Sequence, residues 1–189
     1  MAKYLVIDNG GTFVKPSLMD ENGDPENLDK LPKVQTHAID VAAAFGGRED
    51  QAFSGALNSV EKYLELIDGI YAPLKGQVDG IAMSFPGVNN AETGYCYSGG
   101  AFFFAGGQPM GEIMTKHFGI PVTLENDGKC AALAEYWKGA LKGVVNGAVI
   151  VLGTGIGGGI IINGKMVAGA TGAAGEIGHM HVNDDTSFH

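Results

Sequence analysis

Short apolar runs alternate with glycine-rich turns along this chain. Residues 3–7 form an apolar run that ends in Asp8-Asn-Gly-Gly-Thr12, and a second run resumes at Phe13. In the same way, residues 148–152 lead into Gly153-Thr-Gly-Ile-Gly-Gly-Gly159, before three isoleucines and an Asn-Gly turn. Both stretches predict a strand, a glycine turn and a second strand. The repeated plan indicates two related halves that face each other.

Helical periodicity separates the remaining strands. Apolar residues recur at helical spacing over 53–71, and we expect Pro73 to end that helix. The next predicted elements are, in chain order, a strand at 78–84, a helix at 109–117, a strand at 122–125 and a helix at 131–137, with weaker strand patterns at 33–39 and 95–97. Helical crossovers join parallel strands, so this order predicts an α/β protein with a binding crevice at the strands' carboxyl ends.

The glycine turns are candidate phosphate sites. Glycine lets backbone N–H groups converge on one point with no Cβ in the way, which suits phosphate oxygens. The spacing Gly153-x-Gly155-x-x-Gly158 also fits a dinucleotide fingerprint, but the residues that follow predict a strand instead of the helix that this fingerprint requires. A glycine-rich hairpin that binds no ligand stays open as the structural alternative.

Composition narrows the function classes. The net charge of −9 argues against nucleic acid as a partner, because a phosphate backbone is held by surplus Lys and Arg. No apolar run approaches the ~18 residues of a membrane span, and the first residues predict a strand instead of a signal peptide, so we expect a cytoplasmic protein without a membrane partner. Cys96 and Cys130 lack paired spacing, so we expect two small buried side chains instead of a disulfide or a zinc site.

Asp127 is the main candidate for chemistry. It lies where a predicted parallel strand meets a helix, and the positive potential of the helix N-terminus favours its ionised form. An ionised carboxylate there could accept the proton of a substrate hydroxyl that attacks a phosphoryl group. Capping of the helix by Asp127 or Asn126 is the alternative interpretation.

Polar residues flank both glycine turns. Asp8 could orient a Mg²⁺-bound water or the phosphate chain, since Mg²⁺ is held through few carboxylates together with phosphates and water. Lys15 could meet phosphate charge, although a lone lysine on a strand is usually solvated surface. Thr12 and Thr154 each place a hydroxyl beside the backbone donors of a turn.

A further pair of polar residues lies near the end of the sequence. Glu176 and His179 are three positions apart and are bracketed by Gly175 and Gly178. A carboxylate accepts hydrogen bonds from neighbouring sugar hydroxyls, and an imidazole can both donate and accept. A zinc ligand is the alternative for His179, but a histidine without partner ligands is a weak signal.

Together these motifs resemble the ROK family of sugar kinases and sugar-responsive repressors, which has the actin-like ATPase (ribonuclease H-like) fold. The motifs that carry the resemblance are, in chain order, Asp8-Asn-Gly-Gly-Thr12 with Lys15, Glu125-Asn-Asp127, Leu152-Gly-Thr-Gly-Ile-Gly-Gly-Gly159 and Gly175-Glu-Ile-Gly-His179. The resemblance implies an α/β protein of mixed sheets flanked by helices. Its first lobe would span residues 1–120, and an incomplete second lobe would span 121–189.

The resemblance implies ATP-dependent phosphorylation of a hexose or related sugar, with Asp127 as general base for the acceptor hydroxyl. The residues that would bind sugar are Asn126, Glu176 and His179, and those that would face ATP are Asp8, Gly10, Gly11, Thr12, Lys15, Gly153, Thr154 and Gly155. Mg²⁺ would be held through water by Asp8. ATP and a small sugar are the expected partners, and we expect a homo-oligomer.

Two departures from the family pattern qualify this interpretation. Family members commonly continue into a cysteine-rich zinc loop, so His179 is a Zn²⁺ ligand only in a longer chain. We expect a fragment or a shortened protein with exposed apolar surface, weak sugar binding and little kinase turnover. The second departure is the loop with Phe102 to Phe104, which could stack on a sugar or an aryl aglycone, or pack beneath a loop.

Several alternatives stay open at this point. A catalytically silent sugar-binding module would explain the same motifs without ATP. An actin-like ATPase without a small substrate would have no use for Glu176 and His179. The sugar itself is open among glucose, mannose, fructose, N-acetylated hexosamines and β-glucosides.

Overall fold

Strands alternate with helices over residues 1–10, 13–26, 34–35, 57–153 and 155–180, which are the residues described by this computed structural model. The described strands are β1 (Lys3–Asn9), β2 (Phe13–Asp20), β3 (Pro25–Glu26), β4 (Val34–Gln35), β5 (Gly80–Phe85), β6 (Asn89–Asn90), β7 (Tyr95–Cys96), β8 (Val122–Asn126), β9 (Gly147–Leu152), β10 (Ile156–Ile162) and β11 (Lys165–Met166). The described α-helices are α1 (Val60–Tyr71), α2 (Met110–Phe118) and α3 (Asp127–Trp137), and short 3-10 helices span Ala72–Leu74, Phe103–Ala105 and Ile177–His179.

A mixed sheet forms the centre of the first of two units, Met1–Asp127. Its strand order is β3-β2-β1-β5-β8, with β4 paired to β2. Strands β1 and β2 form an antiparallel hairpin, whereas β1, β5 and β8 run parallel to one another. Helix α1 precedes β5, which runs parallel to β1, so the parallel pairing predicted for the strand after this helix is confirmed; α2 lies in the same way between the parallel strands β5 and β8. The parallel strands bring their carboxyl ends to the same edge of the sheet.

Helix α1 supplies much of the core beside this sheet. Its side chains Tyr63 and Ile67 are fully buried in the same cluster as Leu5 and Ile7 of β1. The helix begins at Val60, because the hydroxyl of Ser59 caps it by accepting the Lys62 N–H at 3.3 Å.

The predicted start of this helix needs correction, whereas its predicted end before Pro73 is confirmed, since α1 stops at Tyr71. The periodic pattern placed its start at residue 53, but residues 57–59 are not helical and residues 53–56 lie outside the described part. At the other end the chain passes into the 3-10 turn that contains Pro73, which can occupy the first turn of a helix because its missing N–H is not needed there. Of the strand predicted at 33–39, only residues 34–35 lie in the described part.

The second unit, Gly128–His189, contains the glycine-rich hairpin. Strands β9, β10 and β11 form an antiparallel sheet. Asn163 and Gly164 join β10 to β11 with φ of 52° and 70°, as a tight hairpin turn of the predicted Asn-Gly type requires.

The last three glycines of the stretch 153–159, at positions 157, 158 and 159, belong to strand β10 instead of the turn. A Cβ on Gly159 would lie 2.5 Å from the Cβ of Ala132 in α3, and one on Gly128 would lie 2.5 Å from the backbone nitrogen of Gly158. These distances are too short for real side-chain contacts, so helix and hairpin can approach this closely only because these positions lack a side chain. The glycine density therefore has a packing cause in addition to any ligand.

The boundary between the two units differs from the boundary between the lobes predicted from the sequence. Strand β8 pairs with β5 in the first unit, whereas the lobes predicted from sequence divide at residue 120; as functional lobes they stay a prediction. In the second unit, Ile150 and Leu152 are 64% and 80% exposed. None of the helices that the structure describes is long and apolar enough to cross a bilayer.

Candidate functional site

Asp8 lies near the end of β1, between two side chains from neighbouring strands. Its Oδ1 accepts the Ser84 hydroxyl at 2.8 Å, and its Oδ2 accepts the Lys15 ammonium at 3.1 Å. Both contacts follow from strand register, since Asp8 stands opposite Lys15 on β2 and opposite Ser84 on β5. The side chains of Asp8 and Lys15 are about half exposed. The ion pair therefore presents both charges at the surface of the first unit, where a polyanion could reach the lysine.

Asn9 fixes the backbone behind this carboxylate. Its Nδ2 donates to the Ser84 carbonyl at 2.7 Å, its backbone N–H donates to the Ser84 hydroxyl at 3.2 Å, and its Oδ1 accepts the Tyr63 hydroxyl at 3.0 Å. Asn9 and Tyr63 are fully buried, and burial raises the pKa of the Tyr63 phenol well above its ordinary value. The phenol thus stays a donor, and the network holds the start of the first glycine turn rigid.

The first glycine of each turn uses its own N–H to close that turn. Gly10 donates to the carbonyl of Phe13, and Gly153 donates to the carbonyl of Gly155, both at 2.9 Å. In this arrangement the N–H groups of Gly10 and Gly153 bond within their own turns, and the expected contacts of these glycines with a nucleotide stay a prediction. The expected nucleotide contacts of Gly11, Thr12 and Thr154 lie outside the described residues.

Asp8 fits an indirect role toward Mg²⁺. A carboxylate has about four lone-pair sites, so each oxygen can accept a further hydrogen bond from a metal-bound water. The ammonium of Lys15 beside Oδ2 opposes a second cation bound directly to that oxygen. Over the residues that the structure describes, no group of three or more His, Cys, Asp or Glu side chains could hold a metal ion. Zn²⁺ at His179 stays a prediction for a longer chain.

Asn126 ends β8 as a buried residue. Its Nδ2 donates to the carbonyl of Gly87 at 2.9 Å, which ties the strand end to the Pro86-Gly87 turn after β5. That turn is held from the other side by Asn89, whose Nδ2 donates to the Phe85 carbonyl at 2.8 Å. These hydrogen bonds fix the amide of Asn126 at the carboxyl end of β8, and the residue is only 4% exposed.

Asp127 follows as the first residue of α3. Its side chain is exposed, in contrast to the buried Asn126 before it and the buried Gly128 after it. The position combines the carboxyl end of a parallel strand with a helix N-terminus, as the sequence predicted. A carboxylate in that position can meet a ligand hydroxyl. Its proposed role as base stays a prediction.

Glu176 and His179 occupy a short loop of the second unit. The backbone N–H of His179 donates to the Glu176 carbonyl at 3.3 Å within the 3-10 helix Ile177–His179. A Cβ on Gly175 would lie 2.8 Å from the Gly158 carbonyl, and one on Gly178 would lie 2.2 Å from the Ile156 carbonyl. The bracketing glycines thus let this loop lie directly against β10. Glu176 is half-buried and His179 is exposed, so both can offer polar groups to a ligand.

The Phe102 to Phe104 segment divides between core and surface. Phe102 is fully buried, stacks on Phe104 at 5.6 Å between centroids and contacts Phe85 at 5.5 Å. Phe103 is 45% exposed. Packing beneath the loop is therefore the role of Phe102 and Phe104, and Phe103 is left as a candidate for ligand stacking.

Sequence reasoning missed the residues that support the site. Ser84 and Tyr63 stabilise Asp8 and Asn9 from distant positions in the sequence, and only the strand register reveals them. Lys129 was also missed, although it is a lysine within an otherwise small and apolar helical run. It is 1% exposed, and its ammonium donates to the carbonyl of Gly172. The expectation for Cys96 is confirmed by its burial, whereas Cys130 is half-buried.

The pattern of the ROK family matches residues 4–188. A glucokinase from Halalkalibacterium halodurans is 33% identical over 183 residues, which cover 95% of this chain and 50% of the glucokinase. An N-acetyl-D-glucosamine kinase from Aliivibrio fischeri is 35% identical over 186 residues, which cover 98% of this chain and 55% of that kinase. This chain therefore spans about half the length of these relatives.

Solved structures give the same family. A ROK family glucokinase from Streptomyces griseus, in complex with glucose and AMPPNP, superposes with a TM-score of 0.74 at 26% identity. The match covers 97% of this chain and 52% of that glucokinase. The likeness confirms the fold class predicted from the motifs, a mixed α/β fold of the actin-like ATPase type.

Proposed function

Because this chain belongs to the ROK family, we propose that it takes part in the ATP-dependent phosphorylation of a hexose or related sugar. Its relatives include a glucokinase and an N-acetyl-D-glucosamine kinase, which supports sugar as the substrate class. The observation that carries the proposal is the junction of β8 and α3, where an exposed carboxylate, Asp127, follows the buried amide of Asn126. A general base needs such an exposed, ionised and rigidly supported position.

Asp127 accepts the proton of the acceptor hydroxyl as its oxygen attacks the γ-phosphoryl group of ATP. The oxygen–phosphorus bond forms while the bond between the γ-phosphorus and the bridging oxygen of ADP breaks, and the proton stays on the carboxylate. Asn126, Glu176 and His179 hold the remaining hydroxyls of the sugar. Half-buried Glu176 suits this task, because a carboxylate can accept from two neighbouring hydroxyls.

The glycine turns bind the phosphates of ATP in this proposal. Gly10 and Gly153 shape their turns, Gly11, Thr12, Thr154 and Gly155 offer backbone or hydroxyl donors, and Lys15 offers its ammonium. Mg²⁺ bound with ATP neutralises phosphate charge. Asp8 would hold the ion through water, with its carboxylate accepting the hydrogen bonds.

A thermal-shift panel tests binding first, because the chain spans about half the length of its relatives. Glucose, mannose, fructose, N-acetylhexosamines and β-glucosides are each added with and without Mg-ATP. A ligand that binds the folded state raises the melting temperature as RT ln(1 + [L]/Kd). A shift with sugar that grows with Mg-ATP supports the kinase. A shift with sugar alone supports a sugar-binding module without phosphoryl transfer, and no shift with any sugar contradicts both.

We also propose that the protein is cytoplasmic and forms a homo-oligomer. The exposed Ile150 and Leu152 on β9 support association, since exposed apolar strands favour contact with a further chain. Light scattering on the purified protein tests the oligomer. A mass equal to that of a single chain at high concentration contradicts it.

A further inference from the structure

Lys129 is a charged residue that is almost fully buried in the second unit. The side chain is 1% exposed, and its ammonium donates to the carbonyl of Gly172. Burial of an ammonium is costly unless hydrogen bonds compensate for the lost water, and an apolar residue of similar length would fill the same space without that cost. The charge therefore needs a reason beyond packing.

The acceptor of this hydrogen bond lies in the middle of an irregular loop. Gly169, Gly172 and Gly175 have φ of 75°, 80° and 91°, in the left-handed region that other residues rarely adopt. Such a backbone has few strand or helix hydrogen bonds to hold it. The described ones include Ala174 N–H to the Ala168 carbonyl at 3.1 Å and Glu176 N–H to the Ala173 carbonyl at 3.3 Å.

The loop is fixed to the unit at points on either side of Glu176. Gly175 lies against Gly158, and Gly178 lies against the Ile156 carbonyl, both on β10. On the N-terminal side, the Lys129 ammonium binds Gly172, four residues before Glu176. Lys129 itself is in the first turn of α3, where its Cα lies against Gly159 of the same hairpin.

We infer that Lys129 is a positioning residue that ties the first turn of α3 to the loop carrying Glu176 and His179. Its ammonium holds the Gly172 carbonyl, and through the short glycine-containing segment it fixes the direction of the Glu176 carboxylate. The loss of sugar affinity expected when Lys129 is replaced rests on the proposed function. The faster hydrogen exchange expected in the loop does not rest on it.

Hydrogen–deuterium exchange of the free protein tests the loop directly. Lys129→Met keeps the length of the side chain and removes its donors, while Lys142→Met on an exposed lysine is the matched control. We expect the amides of Ala174, Glu176 and His179 to exchange about tenfold or more faster in Lys129→Met, the scale of a lost hydrogen bond from a charged donor. Exchange in β1 and β5 stays unchanged. Equal exchange of the loop in Lys129→Met and wild type overturns the inference.

Lys129→Gln separates positioning from folding, since its amide keeps a donor. We expect the exchange rates of the loop amides in Lys129→Gln to lie between those amides' rates in wild type and in Lys129→Met. Sugar affinity should decrease in the order wild type, Lys129→Gln, Lys129→Met, while the affinity for Mg-ATP is the same in all three proteins. If Lys129→Met speeds exchange equally in β1, β5 and the loop, the lysine is only a stability element and the inference is wrong. If wild type binds no sugar, the proposed function fails while the exchange experiment still decides the role of Lys129.

Discussion

The Ser84 hydroxyl donates to Asp8 Oδ1 at 2.8 Å across the parallel strands β1 and β5. The same hydroxyl accepts the backbone N–H of Asn9 at 3.2 Å. One small side chain thus fixes both the carboxylate and the start of the first glycine turn. The support for the proposed nucleotide site therefore comes from the strand that lies next to it in the sheet.

Ser84→Ala removes this support. We expect the free energy of unfolding to fall by about 1 kcal/mol, because Asp8 is half exposed and water replaces part of the bond. Affinity for Mg-ATP should fall with it, as the carboxylate loses its orientation. Urea denaturation and calorimetric titration measure the two effects.

Ser17→Ala on β2 is the control for that substitution. The Ser17 hydroxyl is buried, and none of the residues that the structure describes forms a hydrogen bond with it, so its removal should leave stability unchanged or raise it. Equal losses in the two variants would contradict the role given to Ser84.

Tyr63→Phe tests the buried end of the same network. The substitution keeps the ring in its contacts with Phe85 and Phe102 but leaves the buried Oδ1 of Asn9 without the phenol donor. We expect a loss of about 1–3 kcal/mol in unfolding free energy, the penalty of an unsatisfied buried acceptor. Tyr95→Phe, whose hydroxyl donates to the Gly107 carbonyl at the surface, should cost less than about 0.5 kcal/mol. Denaturation curves that rank the variants in the reverse order would exclude this network as a stabilising element.

Much of this network could not be predicted from the sequence, whereas the hairpins could. Apolar runs and glycine turns located β1, β2, β9 and β10 because those signals are local. The partners of Asp8 and Asn9 depend on which strands pair and in which register. The residues near Asp8 and Asn9 in the sequence determine neither the pairing nor the register. The role of Lys129 could not be predicted for the same reason, since the carbonyl that accepts its hydrogen bond lies 43 positions away in the sequence.

Glycine density illustrates a signal with two causes. The sequence pointed to ligand binding, and the structure shows that Gly159 on β10 and Gly128 on α3 also allow the helix to approach the strand. The helix periodicity over 53–71 likewise marked the apolar face of α1 but not its first residue, because Ser59 and its cap decide where the helix begins.

Gly159→Ala and Gly157→Ala test whether the packing of α3 against β10 requires glycine. A Cβ at Gly159 would lie 2.5 Å from the Ala132 Cβ, whereas one at Gly157 would meet the Gly128 Cα at an ordinary 3.8 Å. We expect Gly159→Ala to cost about 1–3 kcal/mol or more in unfolding free energy and Gly157→Ala to be tolerated. Thermal and urea unfolding of both variants measure this. Equal stability would show that the helix does not need the close approach.

Stability should fall at high pH because of Cys96. Burial raises the pKa of this thiol from 9.0 to about 12, so the folded state keeps its proton where the unfolded state has lost it. The unfolded state then binds fewer protons, and the free energy of unfolding falls as pH rises from 9 toward 12. The raised pKa of Tyr63 acts in the same direction.

Urea denaturation of wild type and Cys96→Ala across that pH range measures the thiol's share. The variant should lose less stability per pH unit than wild type. Parallel curves for the two proteins would mean that the thiol does not contribute to the pH dependence.

The proposed base is tested by phosphoryl transfer. Asp127→Asn keeps the size of the side chain but cannot take a proton at neutral pH, so we expect any transfer from ATP to the sugar to fall by at least about a hundredfold. Sugar affinity should change by less than about threefold, because the base acts mainly in the transition state. A labelled-ATP assay under single-turnover conditions measures transfer. A rate in Asp127→Asn equal to that of wild type would remove Asp127 from the mechanism.

Calorimetric titration of the hexose panel into wild type and Glu176→Gln tests the central claim, that this chain carries a sugar site, most directly. The account predicts that a hexose binds wild type and that its affinity falls about tenfold or more in Glu176→Gln, since hydrogen bonds to a charged acceptor are lost. Binding of no hexose by wild type, or equal affinity in the two proteins, would contradict it.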